Sequence, residues 1–344
     1  MSRFFVELKK NSYPIDVGNG ILCDISPFFK KYNSVCVVSD TNVAPLYLEK
    51  VKAELKRTVP FVCDFVFQAG EKSKNLSTFG EILSFLAENT FTRSDALVAL
   101  GGGVVGDLTG FVAASYCRGI DFFQIPTTLL SMIDSSVGGK TAVDLPNGKN
   151  LVGAFYQPKH VFIDIDTLKT LPHAEIVNGN GELVKHGLLA GGELWEELKS
   201  ENLDIKKCIE LSVQYKASVV QKDEKEHDER IKLNLGHTLA HSIEKLSDYT
   251  VPHGLAVGYG LRAVVNHSKK VGFIDEDLYG EIVKVLDDFE LTYIPQYSMK
   301  EMCEVAKLDK KSRGNEINVV EFLGFGNVET VKVPLNELEK YFND

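Results

Sequence analysis

Residues 96–116 read ALVALGGGVVGDLTGFVAASY: an apolar run, three consecutive glycines, then a helical pattern. That succession predicts a strand turning directly into a helix, and it commits this part of the chain to an α/β arrangement. Gly101, Gly103 and Gly106 match GxGxxG, in which glycines let backbone N–H groups approach a pyrophosphate at a helix N-terminus. A single match of this kind equally describes a tight strand-to-helix turn. It also follows the third strand–helix unit, not the first, which argues against an ordinary dinucleotide-binding half.

The neighbouring units have the same build. "SVCVVSD" (34–40) precedes a helical "NVAPLYLEKVKAELKR", "FVCDFVF" (61–67) precedes "STFGEILSFLAEN", and the apolar runs "DFFQIPTT" and "HVFIDI" follow. Together they predict a largely parallel sheet. From about Glu175 the apolar spacing changes to three and four, through "GELVKHGLLAGGELWEELKS", "NLGHTLAHSIEKL" and "GLAVGYGLRAVVNHSKKV". The second half is therefore expected to be all-helical, with one hairpin in "EINVVEFLGFGNVETVKV". The proline in "TLKTLPHAE" places the boundary, giving an α/β domain over 1–172 and a helical domain over 173–344. A length of 344 residues fits two cores better than one.

Charge narrows the partners. At a formal −10 the chain repels nucleic acid and anionic membrane at long range, so an anionic ligand must be held by a local cluster of Lys and Arg. The start lacks an apolar stretch of signal-peptide length and no run approaches about 20 apolar residues, so a cytoplasmic protein is expected. The six cysteines are scattered without a CxxC pair and read as reduced core residues.

Several constellations could carry chemistry. Asp40 ends a strand, where it could accept ribose hydroxyls or simply form a turn. "MIDSSVGGKTAVDLPNGKN" holds Lys140 and Lys149 in a segment too rich in Gly, Ser, Asp and Asn for a core element, suited to an oxyanion or to solvent. Asp134, in near-apolar surroundings, is a cap or a contact to a ligand hydroxyl. His237 and His241, four apart on a predicted helix, share a face and make a good zinc pair, with His253 a weaker third. Glu182 is a candidate carboxylate ligand, which spacing cannot establish.

As a set, "GGGVVGDLTGFVAASYCRG", "IPTTLLSMIDSSVGGKTAVDLPNGKNLVGAFYQP", "GELVKHG", "KASVVQKDEKE", "RIKLNLGHTLAHSIE" and "PHGLAVGYG", in this order, closely resemble the 3-dehydroquinate synthase family of the shikimate pathway. The resemblance runs from "SDTNV" to "LDKK". It implies an N-terminal NAD-binding α/β domain, a C-terminal helical metal-binding domain, and an active site in the cleft between them. The zinc ligands it implies, with cobalt possible in zinc's place, are Glu182, His237 and His253, while His241 contacts substrate. NAD positions fall on Asp40, Glu71, Lys74, Gly103, Val104, Asp107, Thr127, Thr128, Lys149, Thr170, Leu171 and Glu175. Substrate positions fall on Asp134, Lys140, Asn150, Lys185, Lys216, Arg230, Asn234, His241 and Lys310 or its neighbour Lys311, with Arg118 reaching the other subunit's site in a homodimer. Lys185, His241 and Asp134 are the expected proton-handling and hydroxyl-positioning groups.

The implied substrate is a sugar acid phosphate, 3-deoxy-D-arabino-heptulosonate 7-phosphate. The implied reaction is a transient oxidation by NAD, loss of phosphate, return of the hydride, ring opening and an intramolecular aldol closure to 3-dehydroquinate. Concentrated Lys and Arg contacts would reconcile such a ligand with the acidic chain. Two positions depart from the family's pattern: Leu255 stands where a glutamate is common, and His186 where tyrosine is frequent. Rival readings are a cyclase acting on sedoheptulose 7-phosphate, a metal-dependent polyol dehydrogenase, and an inactive NAD-binding scaffold. The retained Arg230 and Lys216 oppose the first, the density of anion-binding lysines the second, and the filled metal and lysine positions the third.

Overall fold

The computed structural model describes residues 1–307, 312–313 and 315–343. The chain divides into two compact units, Met1–Pro172 with Lys216–Glu224, and His173–Tyr215 with Lys225–Asp344.

The first unit is built on a seven-stranded sheet. In chain order its strands are β1 (Ser2–Val6), β2 (Tyr13–Gly18), β3 (Ser34–Asp40), β4 (Phe61–Phe67), β5 (Ala96–Gly101), β6 (Asp121–Pro126) and, after a separate hairpin of β7 (Lys140–Leu145) and β8 (Gly148–Phe155), β9 (Val161–Asp164). The spatial order is β1-β2-β9-β6-β5-β3-β4, parallel throughout except for the antiparallel β1–β2 edge. Helices α1 (Ala44–Leu55), α2 (Leu76–Glu88) and α3 (Gly103–Ser115) connect the strands. Alternation along the central strands divides the core into two layers. Val35 and Val37 of β3, with Val98 and Leu100 of β5, pack with Leu48, Val51 and Leu55 of α1. Cys36, Val38, Leu97 and Ala99 pack on the other face with Ile82, Leu86, Val105 and Leu108 from α2 and α3.

The strand order explains why the glycine-rich turn follows the third unit. β4 lies on one side of β3 and β5 on the other, so the chain reverses its direction of travel between β3 and β5. In open parallel sheets ligands bind beyond the carboxyl ends of the strands at such a reversal. Asp40 and Gly101 end β3 and β5 there, Thr127 directly follows β6, and the Thr127 N–H donates to the Gly101 carbonyl at 3.0 Å.

One segment differs from its reading in the sequence. "KTAVDL" and "GKNLVGAF" form an antiparallel hairpin, with Leu145 opposite Gly148 across a turn at Pro146 and Asn147. The Asp, Ser and Gly residues that suggested a loop lie mostly before the hairpin, in and after the helical turn Ser131–Ser135, and Ser136 among them is fully buried.

The second unit contains α4 (His173–Ala190), α5 (Gly192–Leu198), most of α6 (Ile205–Lys222, assigned to the first unit from Lys216 onward), α7 (His237–Leu246), α8 (His253–Lys270), α9 (Glu276–Asp288) and α10 (Met299–Ala306). The expected hairpin is β11 (Glu316–Gly324) with β12 (Asn327–Pro334), flanked by the short β10 (Ser312–Arg313), and α11 (Leu338–Asn343) ends the unit. Every residue of α4 from Gly179 to Leu189 is buried, so this helix is the unit's axis. α8 crosses it at glycines: a Cβ on Gly254 would stand 1.8 Å from the Asn178 carbonyl oxygen, and one on Gly181 2.3 Å from that of Gly254. Only glycine permits this approach.

All six cysteines are free thiols, but Cys23 and Cys117 are exposed, against the expectation of core positions. Cys117 sits in a turn in which it, Arg118 and Gly119 all have positive φ (49°, 64° and 122°), and that backbone turns the side chains outward.

Candidate functional site

In the first unit, glycines shape a cradle at the start of α3. A Cβ on Gly102 would meet the Thr128 side chain at 3.2 Å, and one on Gly103 the Ser135 hydroxyl at 3.2 Å. Gly101 and Gly106 are required by packing, since Cβ atoms there would meet Val105 at 2.5 Å and Gln124 at 2.7 Å. Thr128 bonds the Ser131 hydroxyl at 2.9 Å, whereas the buried Thr127 hydroxyl has no partner among the described residues.

Beside the cradle lies a charged cluster. Lys74, 4% exposed, places its Nζ 2.8 Å from Asp107 and 3.5 Å from Glu71, and Lys149 Nζ is 3.7 Å from Glu71. Burial works against the Lys74 ammonium, but Asp107 and Glu71 outweigh it and raise its pKa. Burial would lift the Glu71 carboxyl, yet Lys74 and Lys149 hold it below the usual range. Asp107 is pushed up by its burial despite Lys74. Asp144, which the motif reading did not single out, accepts the Asn150 N–H at 2.8 Å and is pushed up to about 6, chiefly by burial and against the pull of Asn150 and Lys74. Asn150 itself is exposed, with φ 54°, and Lys140 opens β7, also exposed.

The remaining first-unit positions are more dispersed. The Asp40 carboxylate accepts the N–H groups of Asn42 and Val43 at 2.8 and 3.0 Å, so it forms a turn here whatever else it does. Thr170 bonds the Tyr47 hydroxyl, and Leu171 ends the following turn. Val104 is half-buried on the first turn of α3. Asp134 lies in a helical turn (Ser131–Ser135), with Lys216 Nζ 2.6 Å from its carboxylate. Arg118 is exposed on its left-handed turn.

In the second unit, Glu182 on α4, His237 on the first turn of α7 and His253 at the start of α8 converge. His237 Nε2 and His253 Nε2 lie 3.4 and 3.3 Å from Glu182 Oε1, and one ligand atom from each residue falls within 4.8 Å of the others. Their far ring nitrogens have partners: His237 Nδ1 donates to the Leu235 carbonyl at 3.1 Å, and His253 Nδ1 faces Glu244 at 3.3 Å. Burial opposes a charge on His253, but Glu182 and Glu244 push its pKa up to about 10. Burial would raise the Glu182 carboxyl, yet Lys185 and then His253 hold it far below the usual range. The site's field thus favours positive charge between these atoms. One carboxylate and two imidazoles with satisfied Nδ1 atoms are a donor set suited to zinc or a similar divalent ion with an open position. His241 lies with its ring 5.3 Å from that of His237, at 90° to it.

Lys185, 2% exposed, is paired with Glu182, and Arg230, in the helical turn Glu229–Asn234, is 1% exposed. The Asn234 carboxamide donates to the Ile231 carbonyl at 3.0 Å and to Glu226 at 3.2 Å. Lysine and arginine are seldom this buried unless an ion pair or a ligand compensates them. His186 bonds Ser212 on α6, Glu175 accepts from Asn178 at 3.3 Å, and Leu255 lines a shallow pocket with Val177, Pro252 and Tyr293. Lys310 and Lys311 lie outside the described residues.

Sequence reasoning missed Glu244 and Asn178 as well as Asp144. Glu244 stands seven residues after His237, on the same helical face, and Asn178 four before Glu182, spacings that could have pointed to both. Asn178 Oδ1 accepts the Gly254 N–H at 2.8 Å, capping α8 from another helix.

Family models described as 3-dehydroquinate synthase N-terminal and C-terminal match residues 64–178 and 179–312. The chain is 43% identical over 352 residues to a 3-dehydroquinate synthase of Clostridium acetobutylicum, covering 99% of both chains. It is 40% identical to one of a Thermoanaerobacter species, covering 97% of this chain and 98% of that one. Among solved structures it is similar to a 2-epi-5-epi-valiolone synthase from Streptomyces hygroscopicus with NAD+ and Zn2+ bound (TM-score 0.85, 25% identity, 98% and 97% coverage). It also shares its fold with a 2-deoxy-scyllo-inosose synthase (TM-score 0.90, 22% identity, 99% of both chains) and an iron-containing alcohol dehydrogenase (TM-score 0.69, 16%, 96% of both).

Proposed function

The chain belongs to the 3-dehydroquinate synthase family and catalyses its NAD- and metal-dependent sugar-phosphate cyclase reaction, and from that premise we propose how its residues divide the work. The reaction converts 3-deoxy-D-arabino-heptulosonate 7-phosphate to 3-dehydroquinate and phosphate. The observation that carries this assignment over the rival cyclases is identity of 38–43% along nearly the whole chain with 3-dehydroquinate synthases, against 22–25% with synthases of other carbocycles.

Glu182, His237 and His253 would hold the divalent metal, zinc or cobalt. Bound there, the metal would supply a Lewis acid for substrate oxygens, and the nicotinamide a hydride acceptor and donor. In the first unit, the Gly102–Gly103 cradle, the unpartnered Thr127 hydroxyl and Thr128 suit the cofactor's pyrophosphate, with Asp40, Glu71, Lys74, Val104, Asp107, Lys149, Thr170 and Leu171 completing the first unit's share and Glu175 of the second unit contributing. Lys140, Asn150 and Lys216 hold substrate anions and hydroxyls, and Asp134, fixed by Lys216, accepts from a hydroxyl. In the second unit, Lys185 and Arg230, both buried, supply fixed donors to phosphate or carboxylate, Asn234 adds a carboxamide, and His241 exchanges a proton with a substrate hydroxyl. Holding one substrate among so many fixed donors supports proximity catalysis, with little further acid–base machinery.

Among the described residues no helix is long and apolar enough to cross a membrane. We read the protein as a cytoplasmic homodimer in which the outward-turned Arg118 serves the neighbouring subunit's site. The two-domain division at residue 172, with α/β cofactor binding before it and helical metal binding after it, is part of the same proposal. The test is phosphate release by the purified protein with zinc and NAD. Release from the heptulosonate phosphate and none from sedoheptulose 7-phosphate is expected; release from sedoheptulose 7-phosphate alone would overturn the substrate assignment and leave Arg230 without a carboxylate.

A further inference from the structure

The two imidazoles that face Glu182 are supported differently. His237 Nδ1 donates to a main-chain carbonyl, that of Leu235, at 3.1 Å. His253 Nδ1 faces a side-chain carboxylate, Glu244 Oε2, at 3.3 Å. Glu244 is 7% exposed, and a buried carboxylate without a compensating role is costly. It stands two helical turns beyond His237 on α7, so one helix face carries both a converging imidazole and the support for the imidazole opposite. His253 needs such support more than His237 does. It is the first residue of α8, preceded by Pro252, and its side chain is 28% exposed against 10% for His237. Among the described residues the groups that face its ring are Glu182 from α4, Glu244 and the His237 ring from α7; the side chain of Leu255, its neighbour on α8 beyond Gly254, offers no acceptor.

We propose that Glu244 is a positioning residue for His253: by accepting from Nδ1–H it fixes the ring's orientation and tautomer, keeps Nε2, on the side of Glu182, as the atom whose lone pair binds the metal, and so sets the affinity of the site for its divalent metal. The proposal rests on the reading of Glu182, His237 and His253 as the metal's ligands. A carboxylate acceptor also makes the imidazole a stronger donor than a carbonyl would, and loss of such a partner weakens metal binding about 10–100-fold.

The experiment measures zinc affinity by competition with a chelator, for the full chain at constant pH, without substrate or NAD. Glu244→Ala is expected to raise the zinc dissociation constant about 10–100-fold. Glu244→Gln, whose amide oxygen still accepts from Nδ1–H, is expected to lose less. With cobalt in place of zinc, the visible absorption should change in Glu244→Ala, a signature that a packing defect elsewhere does not produce. Thermal unfolding of the metal-free proteins reports folding, and should Glu244→Ala fail to fold, the isosteric glutamine variant carries the test by its own smaller loss of affinity. Wild-type zinc affinity and an unchanged cobalt spectrum in the Glu244 variants, with affinity lost in His253→Ala, would overturn the proposal while leaving the ligand reading intact. Zinc retained by His253→Ala would remove the ligand reading and the proposal with it.

Discussion

Lys74 offers the sharpest test of the first unit's electrostatics. Its ammonium lies 2.8 Å from Asp107 and 3.5 Å from Glu71 and is almost fully buried. Lys74→Met keeps the length and the apolar stem and removes only the charge. The carboxyl groups of Asp107, Glu71 and Asp144 remain without it. Deleting one partner of a buried pair costs about 3–5 kcal/mol. At about 2–4 °C per kcal/mol for a domain of this size, Tm should fall by roughly 6–20 °C near neutral pH. The pH dependence has a definite sign. Asp144 is pushed up to about 6 and Asp107 is also raised, so both hold protons in the folded chain where the unfolded chain has released them. Stability therefore falls as pH rises through these folded values, and removing Lys74 raises them further. A proton then replaces part of the lost ammonium at low pH. Thermal unfolding of wild type and Lys74→Met, without NAD, should show a large deficit near pH 8 and a smaller one near pH 5.5. A deficit under about 1 kcal/mol near pH 8, as for an exposed pair, or one that grows on acidification, would refute the reasoning.

Three further outcomes follow from the second unit. His253→Ala should lose bound zinc, while His241→Ala should keep it and lose turnover about 10²–10⁴-fold; metal analysis with a phosphate-release assay checks both. Gly254→Ala places a Cβ 1.8 Å from the Asn178 carbonyl oxygen, an overlap of backbone that no rotamer relieves. It should cost about 3 kcal/mol or more in denaturant unfolding and weaken zinc binding as α8 shifts. Asn178→Ala removes the acceptor for the Gly254 N–H and should cost about 1 kcal/mol, as loss of an N-cap does, in the same unfolding assay.

Much of this architecture is legible in the chain because period and composition act locally. The runs at 34–40 and 96–101 are central strands with nearly every residue buried, the run at 61–67 is the half-buried edge strand beside them, and the glycines at 101–106 are needed where α3 packs back on β5 and β6. The β7–β8 hairpin was not legible: its stabilisation comes from cross-strand pairing and from contact with α3, where Gly110 lies against Thr141. The histidines show the same limit at the site. Helical spacing puts His237 and His241 on one face, but the atoms that converge on His237 come from Glu182, 55 positions earlier, and His253, on another helix. What brings them together is the glycine-permitted crossing of α4 and α8, which no periodicity encodes. Resemblance named that set; spacing could not. Neither pointed to Glu244, whose partner is a ring nitrogen on the next helix.

The central claim is that NAD is consumed and restored within each turnover, and the most direct test follows NADH absorbance and phosphate together. The zinc-loaded protein, given 3-deoxy-D-arabino-heptulosonate 7-phosphate and NAD in amounts well below the substrate, should release phosphate far in excess of the NAD supplied, with no net rise in NADH. Phosphate release that stops at one equivalent of NAD while NADH accumulates would contradict the account and place the chain with dehydrogenases of this fold.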